Sequence, residues 1–197
     1  MSELAGKGVV SSRAVVSGTV EISMGGSGGQ GLVLMGLIMA EAACVYEGRQ
    51  VTQSQLYGPE SRGGASRSDV IISDDEIDYP EVEHPDVLFA FNQLAADKFA
   101  PNLKKGGTVI YDSTFVSDPP LIEGRAYQLP ITRLARERLG REIVANIVAL
   151  GAITVLTGVV SREAVTRAVM GRVPKGTEEI NQRALQVGFE AAESLLK

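Results

Sequence analysis

One cysteine, one histidine and no tryptophan occur in 197 residues, and each scarcity removes a chemistry. Zinc sites of the Cys/His type and Fe–S clusters need several such ligands, and a disulfide framework needs paired thiols. None of them can be built within this sequence, so redox centres of that kind would have to come from a partner. A Ser-His-Asp hydrolase would depend on the sole imidazole, His84, which stands between Glu83 and Pro85 in an acidic stretch and reads as a solvated loop residue. There is no block of like charge: 19 basic residues face 24 acidic ones, for a net charge of −5 and a pI near 5.0. That balance argues against nucleic acid or a membrane surface as a partner and leaves small anions open, because a local glycine-rich site does not need a basic protein. No Gly-x-x-x-x-Gly-Lys run is present, which disfavours ATP or GTP hydrolysis. The longest apolar stretch, from Leu32, is broken by Gly36 and Glu41 before it reaches the ~20 residues that span a bilayer. Residues 1–17 carry Lys7 and Arg13 but no continuous apolar region, so they read as an extension rather than a secretory signal, and the expected location is the cytoplasm.

With 44% hydrophobic residues and a mean hydropathy of +0.08, residues 18–197 have material for one compact domain. Thr19 to Ser23, Arg49 to Ser54, Asp69 to Ser73, Asp86 to Phe91, Thr108 to Asp112 and Ala126 to Leu129 read as strands. Helices are expected from Leu32 and from Gln93 to Phe99 with Asn92 as N-cap. A helical last third follows, at Thr132 to Leu139, Ala145 to Leu156, Arg162 to Met170 and Glu178 to Leu196, with Ser161 and Thr177 as caps. Alternating strands and helices predict an α/β, Rossmann-like fold with a mostly parallel sheet, helices on both faces and a ligand crevice at the carboxyl ends of the strands. Ala145 to Leu156 is nearly all apolar and must be buried, either under the sheet or in a subunit interface. Cys44, inside Ala42-Ala43-Cys44-Val45, reads as a buried small hydrophobe. Asp74-Asp75-Glu76 with Asp78 reads as a solvated acidic turn, since the spacing is not that of a calcium loop.

Five glycines fall among the seven residues Gly25-Gly26-Ser27-Gly28-Gly29-Gln30-Gly31, between a β-branched run and the helix from Leu32. Glycine permits positive φ and close approach of backbone N–H groups, and a helix N-terminus adds free donors, so the turn suits an anion. Gly26-x-Gly28-x-x-Gly31 has dinucleotide-site spacing, but the next strand ends in Thr52-Gln53-Ser54 without the acid that binds ribose hydroxyls. Gly25-x-Ser27-x-Gly29 also spells a nucleophile elbow, although such an elbow normally follows several strands. Tight helix packing is a third use of the same glycines. A second unusual segment, Tyr57-Gly58-Pro59-Glu60-Ser61-Arg62-Gly63-Gly64-Ala65-Ser66-Arg67, sets guanidinium forks beside flexible backbone, a combination suited to carboxylate or phosphate, with Arg67 as a second anchor.

These two segments, together with Ala145-Asn146-Ile147-Val148-Ala149-Leu150-Gly151, resemble the gamma subunit of 2-oxoacid:ferredoxin oxidoreductases from about Val20 to the C-terminus. The tract Gly58-Pro59-Glu60-Ser61-Arg62-Gly63-Gly64 looks most like the 2-oxoglutarate type, and pyruvate and branched-chain relatives share much of it. The resemblance implies a chain that is inactive alone and binds no cofactor by itself. Thiamine diphosphate, Mg2+ and Fe–S clusters would lie on alpha, beta and, where present, delta partners, with ferredoxin as acceptor, CoA as co-substrate and a homodimer open to the isolated chain. It also implies Gly26, Ser27, Gly28, Gly29, Gln30, Gly31, Tyr57, Gly58, Pro59, Glu60, Arg62, Gly63 and Gly64 as contacts to CoA or to partner subunits.

Overall fold

A computed structural model describes residues 17–56 and 64–197. Six runs become the strands β1 (Val20–Gly26), β2 (Gln50–Leu56), β3 (Ser66–Ser73), β4 (Val87–Ala90), β5 (Thr108–Asp112) and β6 (Arg125–Leu129). They form one sheet in the order β2-β3-β1-β4-β5-β6. The pairs β1–β4, β4–β5 and β5–β6 are parallel, as the alternation of strands and helices predicts. The edge is different, because β3 runs antiparallel to both β1 and β2. Residues 57–65 are too few for the crossover that a parallel pair needs, whereas they suffice to turn a hairpin. Pairing also lengthens these strands beyond their apolar runs: β2 continues to Leu56, and β3 begins at Ser66 because Ser66 and Arg67 complete the ladder opposite Gly26 and Gly25.

Successive side chains of β4 and β5 serve opposite faces. Val87, Phe89 and Ile110 join the larger core with α1 (Leu32–Glu41), α3 (Ile131–Leu139), α4 (Ala145–Thr157), α5 (Arg162–Arg172) and α6 (Glu178–Ser194). Leu88, Ala90, Val109 and Tyr111 form the smaller one with α2 (Gln93–Phe99). Helix α4 is buried from Ala145 to Leu156 within its own chain, which decides between the two sites open to it. It crosses α6 at Gly151 and Gly188, where a Cβ on Gly151 would stand 2.5 Å from the Leu185 carbonyl. Only glycine permits helices to approach so closely.

Three local expectations need correction. Cys44 is exposed, because residues Ala42–Tyr46 form a π-helical turn; the wider turn changes the phase of the helix and carries Cys44 and Val45 outward. Thr177 stands at the N-cap of α6 without capping it, since its hydroxyl donates to the Pro174 carbonyl at 2.7 Å. The acidic turn is partly structural: Asp74 accepts from Gly18 N at 2.5 Å and from Arg49 Nε at 2.8 Å. The Gly18 N–H and then the guanidinium hold its carboxyl below the usual range. Buried Arg49 also donates to the carbonyls of Gly18 and Val159. Ser161 and Asn92 cap α5 and α2 as expected, accepting from Ala164 N at 3.2 Å and Ala95 N at 2.9 Å.

Candidate functional site

From β1 the chain passes through α1 to the β2 edge, and from β4 through α2 to β5 on the other side. The carboxyl ends of β1 and β4 therefore flank the point at which the winding reverses, where open α/β sheets hold their ligands. Residues Gly26–Gly31 leave β1 at this point and Phe91-Asn92 leaves β4 beside them. Phe91 N donates to the Gly25 carbonyl at 3.0 Å, and buried Phe91 packs edge-on against Phe89 with ring centroids 4.6 Å apart. Asn92 Nδ2 donates to Ser27 Oγ at 2.9 Å and to Gln30 Oε1 at 3.3 Å. Gln30 Oε1 in turn accepts from Ser27 N at 2.6 Å. The two turns are thus one hydrogen-bonded unit.

The glycines divide by what surrounds them. A Cβ on Gly26 would meet Gln30 Oε1 at 2.5 Å and Phe91 Cβ at 3.2 Å, and one on Gly31 would run into the Asn146 carboxamide. Those two positions accommodate side chains of this chain, so packing accounts for them. Gly28 and Gly29 have open space where a Cβ would be, and Gly29 has φ 91°. They form a tip that a ligand can approach. Gly31, at φ 75°, begins α1 without any side-chain cap, which leaves first-turn N–H groups available beside the tip.

A cleft of about 290 Å³ lies along this tip, bordered by Ser27, Gly28, Gly29, Leu32, Val33 and Arg67 among others. The flanks of the second segment close the same place, since Leu56 pairs with Arg67 and Ser66 with Gly26. Gly64 is half-buried next to buried Ala65. Tyr57, Gly58, Pro59, Glu60, Arg62 and Gly63 lie outside the described residues. Arg67, read as a loop anchor, is a strand residue already engaged: its Nε pairs with Asp69 at 2.8 Å, its Nη2 donates to the Val82 carbonyl at 2.7 Å, and the guanidinium lies 5.6 Å from the Phe99 ring centroid. Burial pushes the Asp69 carboxyl above the ordinary range, partly offset by the Ser23 hydroxyl, 2.6 Å away, and by Arg67.

Two alternatives lose their geometry. In a dinucleotide site the second strand lies next to the first; here β3 occupies that place and β2 stands beyond it. Ser27 follows the carboxyl end of β1, whereas His84 precedes β4, which is parallel to β1, so they stand at opposite ends of strands spanning roughly 20 Å. His84 is exposed, with Nδ1 3.2 Å from the Asn102 carbonyl. The arrangement can bind and orient a ligand, and it offers Ser27 no base. The sequence reading takes Asn92 as a helix cap only and Asn146 as a polar exception in an apolar helix. The signal for Asn146 is that isolation, one carboxamide at the start of an otherwise apolar run.

Residues 21–191 match the family described as pyruvate ferredoxin/flavodoxin oxidoreductase. The 2-oxoglutarate synthase subunit KorC of Methanocaldococcus jannaschii is 47% identical over 177 residues, which span 89% of this chain and 95% of that protein. The pyruvate synthase subunit PorC of the same organism is 30% identical over 86% of this chain and 95% of its own length. The crystal structure of the keto/oxoacid ferredoxin oxidoreductase gamma subunit from Geobacter sulfurreducens superposes with a TM-score of 0.82 at 50% identity, covering 89% of this chain and 99% of that one.

Proposed function

The chain belongs to the pyruvate ferredoxin/flavodoxin oxidoreductase family, and from that premise we propose that it is the gamma subunit of a multi-subunit 2-oxoacid:ferredoxin oxidoreductase. The reaction converts a 2-oxoacid and CoA to acyl-CoA and CO2 while ferredoxin is reduced. The observation that carries the reading is the 47% identity to a 2-oxoglutarate synthase subunit over nearly the whole of both chains. The lower identity, 30%, to a pyruvate synthase subunit favours 2-oxoglutarate over pyruvate as the substrate. Thiamine diphosphate, Mg2+ and the Fe–S clusters belong, on this reading, to alpha, beta and, where present, delta partners. Among the described residues no helix is long and apolar enough to cross a membrane.

Residues 18–197 act as the gamma-type domain, and its glycine loop faces CoA. The open tip at Gly28 and Gly29, with the uncapped first turn of α1, offers backbone N–H groups to phosphate oxygens, while Leu32 and Val33 supply an apolar wall. Tyr57 to Gly64, whose flanks meet this loop, completes the site or docks a partner subunit. The test is reconstitution with the partner subunits and an assay of viologen or ferredoxin reduction with and without CoA. CoA-dependent oxidation of 2-oxoglutarate is expected, and the chain alone should be silent and colourless. An assembled complex inactive on 2-oxoglutarate, pyruvate and branched-chain 2-oxoacids alike would overturn the reading. Arg62→Lys keeps charge and loses the bidentate fork, so a direct contact predicts a rise in KM for CoA of about 10- to 100-fold. A role in docking predicts activity lost on dilution instead.

A further inference from the structure

The two edges of the sheet end it differently. β6 is five residues long, opens with exposed Arg125 and is stopped by Pro130. Charge, proline and short length are devices that keep an edge strand from pairing with another chain. β2 has none of them. It runs for seven residues, Gln50-Val51-Thr52-Gln53-Ser54-Gln55-Leu56, without a charge or a proline, in a chain of which 22% is charged. Each of its residues faces one residue of β3, from Gln50 opposite Ser73 to Leu56 opposite Arg67, so no bulge twists the edge away. Among the described residues no strand lies on its other side. β2 therefore presents a continuous row of main-chain donors and acceptors outward. Two exposed apolar side chains mark its ends: Val45, 66% exposed in the turn that leads into the strand, and Leu56, 53% exposed as its last residue.

We propose that the outer edge of β2 is the interface through which two copies of this chain pair, strand against strand and antiparallel, about a two-fold axis. Such an axis sets each residue near its own image, so a charged side chain there would meet a like charge. Absence of charge is what self-pairing requires. A foreign strand would be selected by opposite charge, and β2 offers none. With the axis at Gln53, Thr52 stands opposite Ser54 of the second copy, and Thr and Ser hydroxyls hydrogen-bond across a pair of this kind. Both are half-buried and at hand. Gln53 itself stays on its own sheet, its Nε2 donating to Ser68 Oγ at 3.1 Å and to the Ser54 carbonyl at 3.0 Å. Antiparallel pairing also brings Val45 of one copy to the end at which Leu56 of the other finishes its strand, which covers both apolar side chains. The association is closed, because it uses each β2 edge once and the joined sheet then ends in a protected β6 edge on both sides. It stands on the sheet edge alone and is independent of the gamma-subunit reading.

The test is the oligomeric state of the full chain, followed by sedimentation velocity over a concentration series. A dimer is expected at tens of micromolar, and the β2 amides should gain protection from hydrogen exchange as it forms. Thr52→Lys and Thr52→Glu each set like charges across the axis. Either should weaken the dimer about tenfold or more while leaving the melting temperature of the dilute monomer unchanged. An equimolar mixture of the two variants should regain the dimer, which variants that merely misfold would not do. A wild-type chain that stays monomeric overturns the proposal. If the form lacking residues 1–16 then dimerises, the chain's own N-terminal segment takes the edge; if Thr52→Lys instead blocks assembly with the partner subunits, a foreign strand does. A dimer that both variants leave intact also overturns it, since another surface then holds the copies together.

Discussion

Asn92 Nδ2 lies 2.9 Å from Ser27 Oγ while Asn92 Oδ1 accepts from Ala95 N at 2.9 Å. One carboxamide thus starts α2 and holds the turn after β1 to the turn after β4.

The two duties separate by substitution. Asn92→Ala loses both and should cost about 1–2 kcal/mol of stability. Asn92→Asp keeps the cap but cannot donate to Ser27 or Gln30, so it should retain most of the stability and loosen the loop. Urea unfolding and the KM for CoA of the assembled complex measure the two effects. Equal destabilisation by both variants would show that the cap contributes little.

Ser27 receives a hydrogen bond from Asn92 and has no imidazole within reach. Ser27→Ala should lower activity of the complex within about tenfold, the loss of one hydrogen bond. A loss beyond ~1000-fold together with organophosphate labelling of Ser27 would restore it as a nucleophile.

Gly28 and Gly31 should respond in opposite ways. Gly28 has no positive φ and open space around its Cβ position, so Gly28→Ala should leave thermal stability nearly unchanged and weaken CoA binding alone. Gly31→Ala places a side chain at φ 75°, against Asn146, and should cost at least about 1–2 kcal/mol. Thermal melts of the two variants check the contrast. A strongly destabilised Gly28→Ala would remove the open tip from the site.

The Arg67–Asp69 pair gives a pH dependence. The folded Asp69 carboxyl is raised, first by burial, so the unfolded chain releases that proton at lower pH. The folded state then holds the extra proton, and stability falls as pH rises from the ordinary carboxylate value of 3.8 through the raised one. Arg67→Met removes the cation that favours ionisation, raises the carboxyl further and leaves a buried charge unpaired. The deficit should be about 3 kcal/mol near neutral pH and smaller at an acid pH that protonates Asp69. Urea unfolding at the two pH values decides. A deficit independent of pH would mean that Arg67 acts by packing on Phe99 and by its bond to Val82.

Much of the fold was legible in the chain because the signals are local. Apolar runs such as Val70 to Ile72 and Val109 to Ile110 mark strands buried on both faces, Asn92 and Ser161 start helices by accepting from an N–H three residues on, and glycines mark the turn after β1. Cap chemistry depends on neighbours in sequence, and so does the period of burial. The combination of three blocks also carried the family.

What the sequence could not decide depends on partners distant in the chain. Nothing local tells that β3 enters between β2 and β1, that this draws Arg67 out of its loop, or that Gly26 and Gly31 serve the side chains of Gln30 and Asn146 while Gly28 and Gly29 stay open. A glycine reads the same whether a ligand or a neighbouring residue fills the space its missing Cβ leaves. The same holds for Cys44, turned outward by one π-helical turn, and for Asn146, whose carboxamide occupies the space that Gly31 leaves. Composition and spacing determined which chemistries this chain excludes and which fold it builds. Tertiary contact decided which of its polar groups are already satisfied and which remain for a ligand, because satisfaction is a property of pairs brought together by folding.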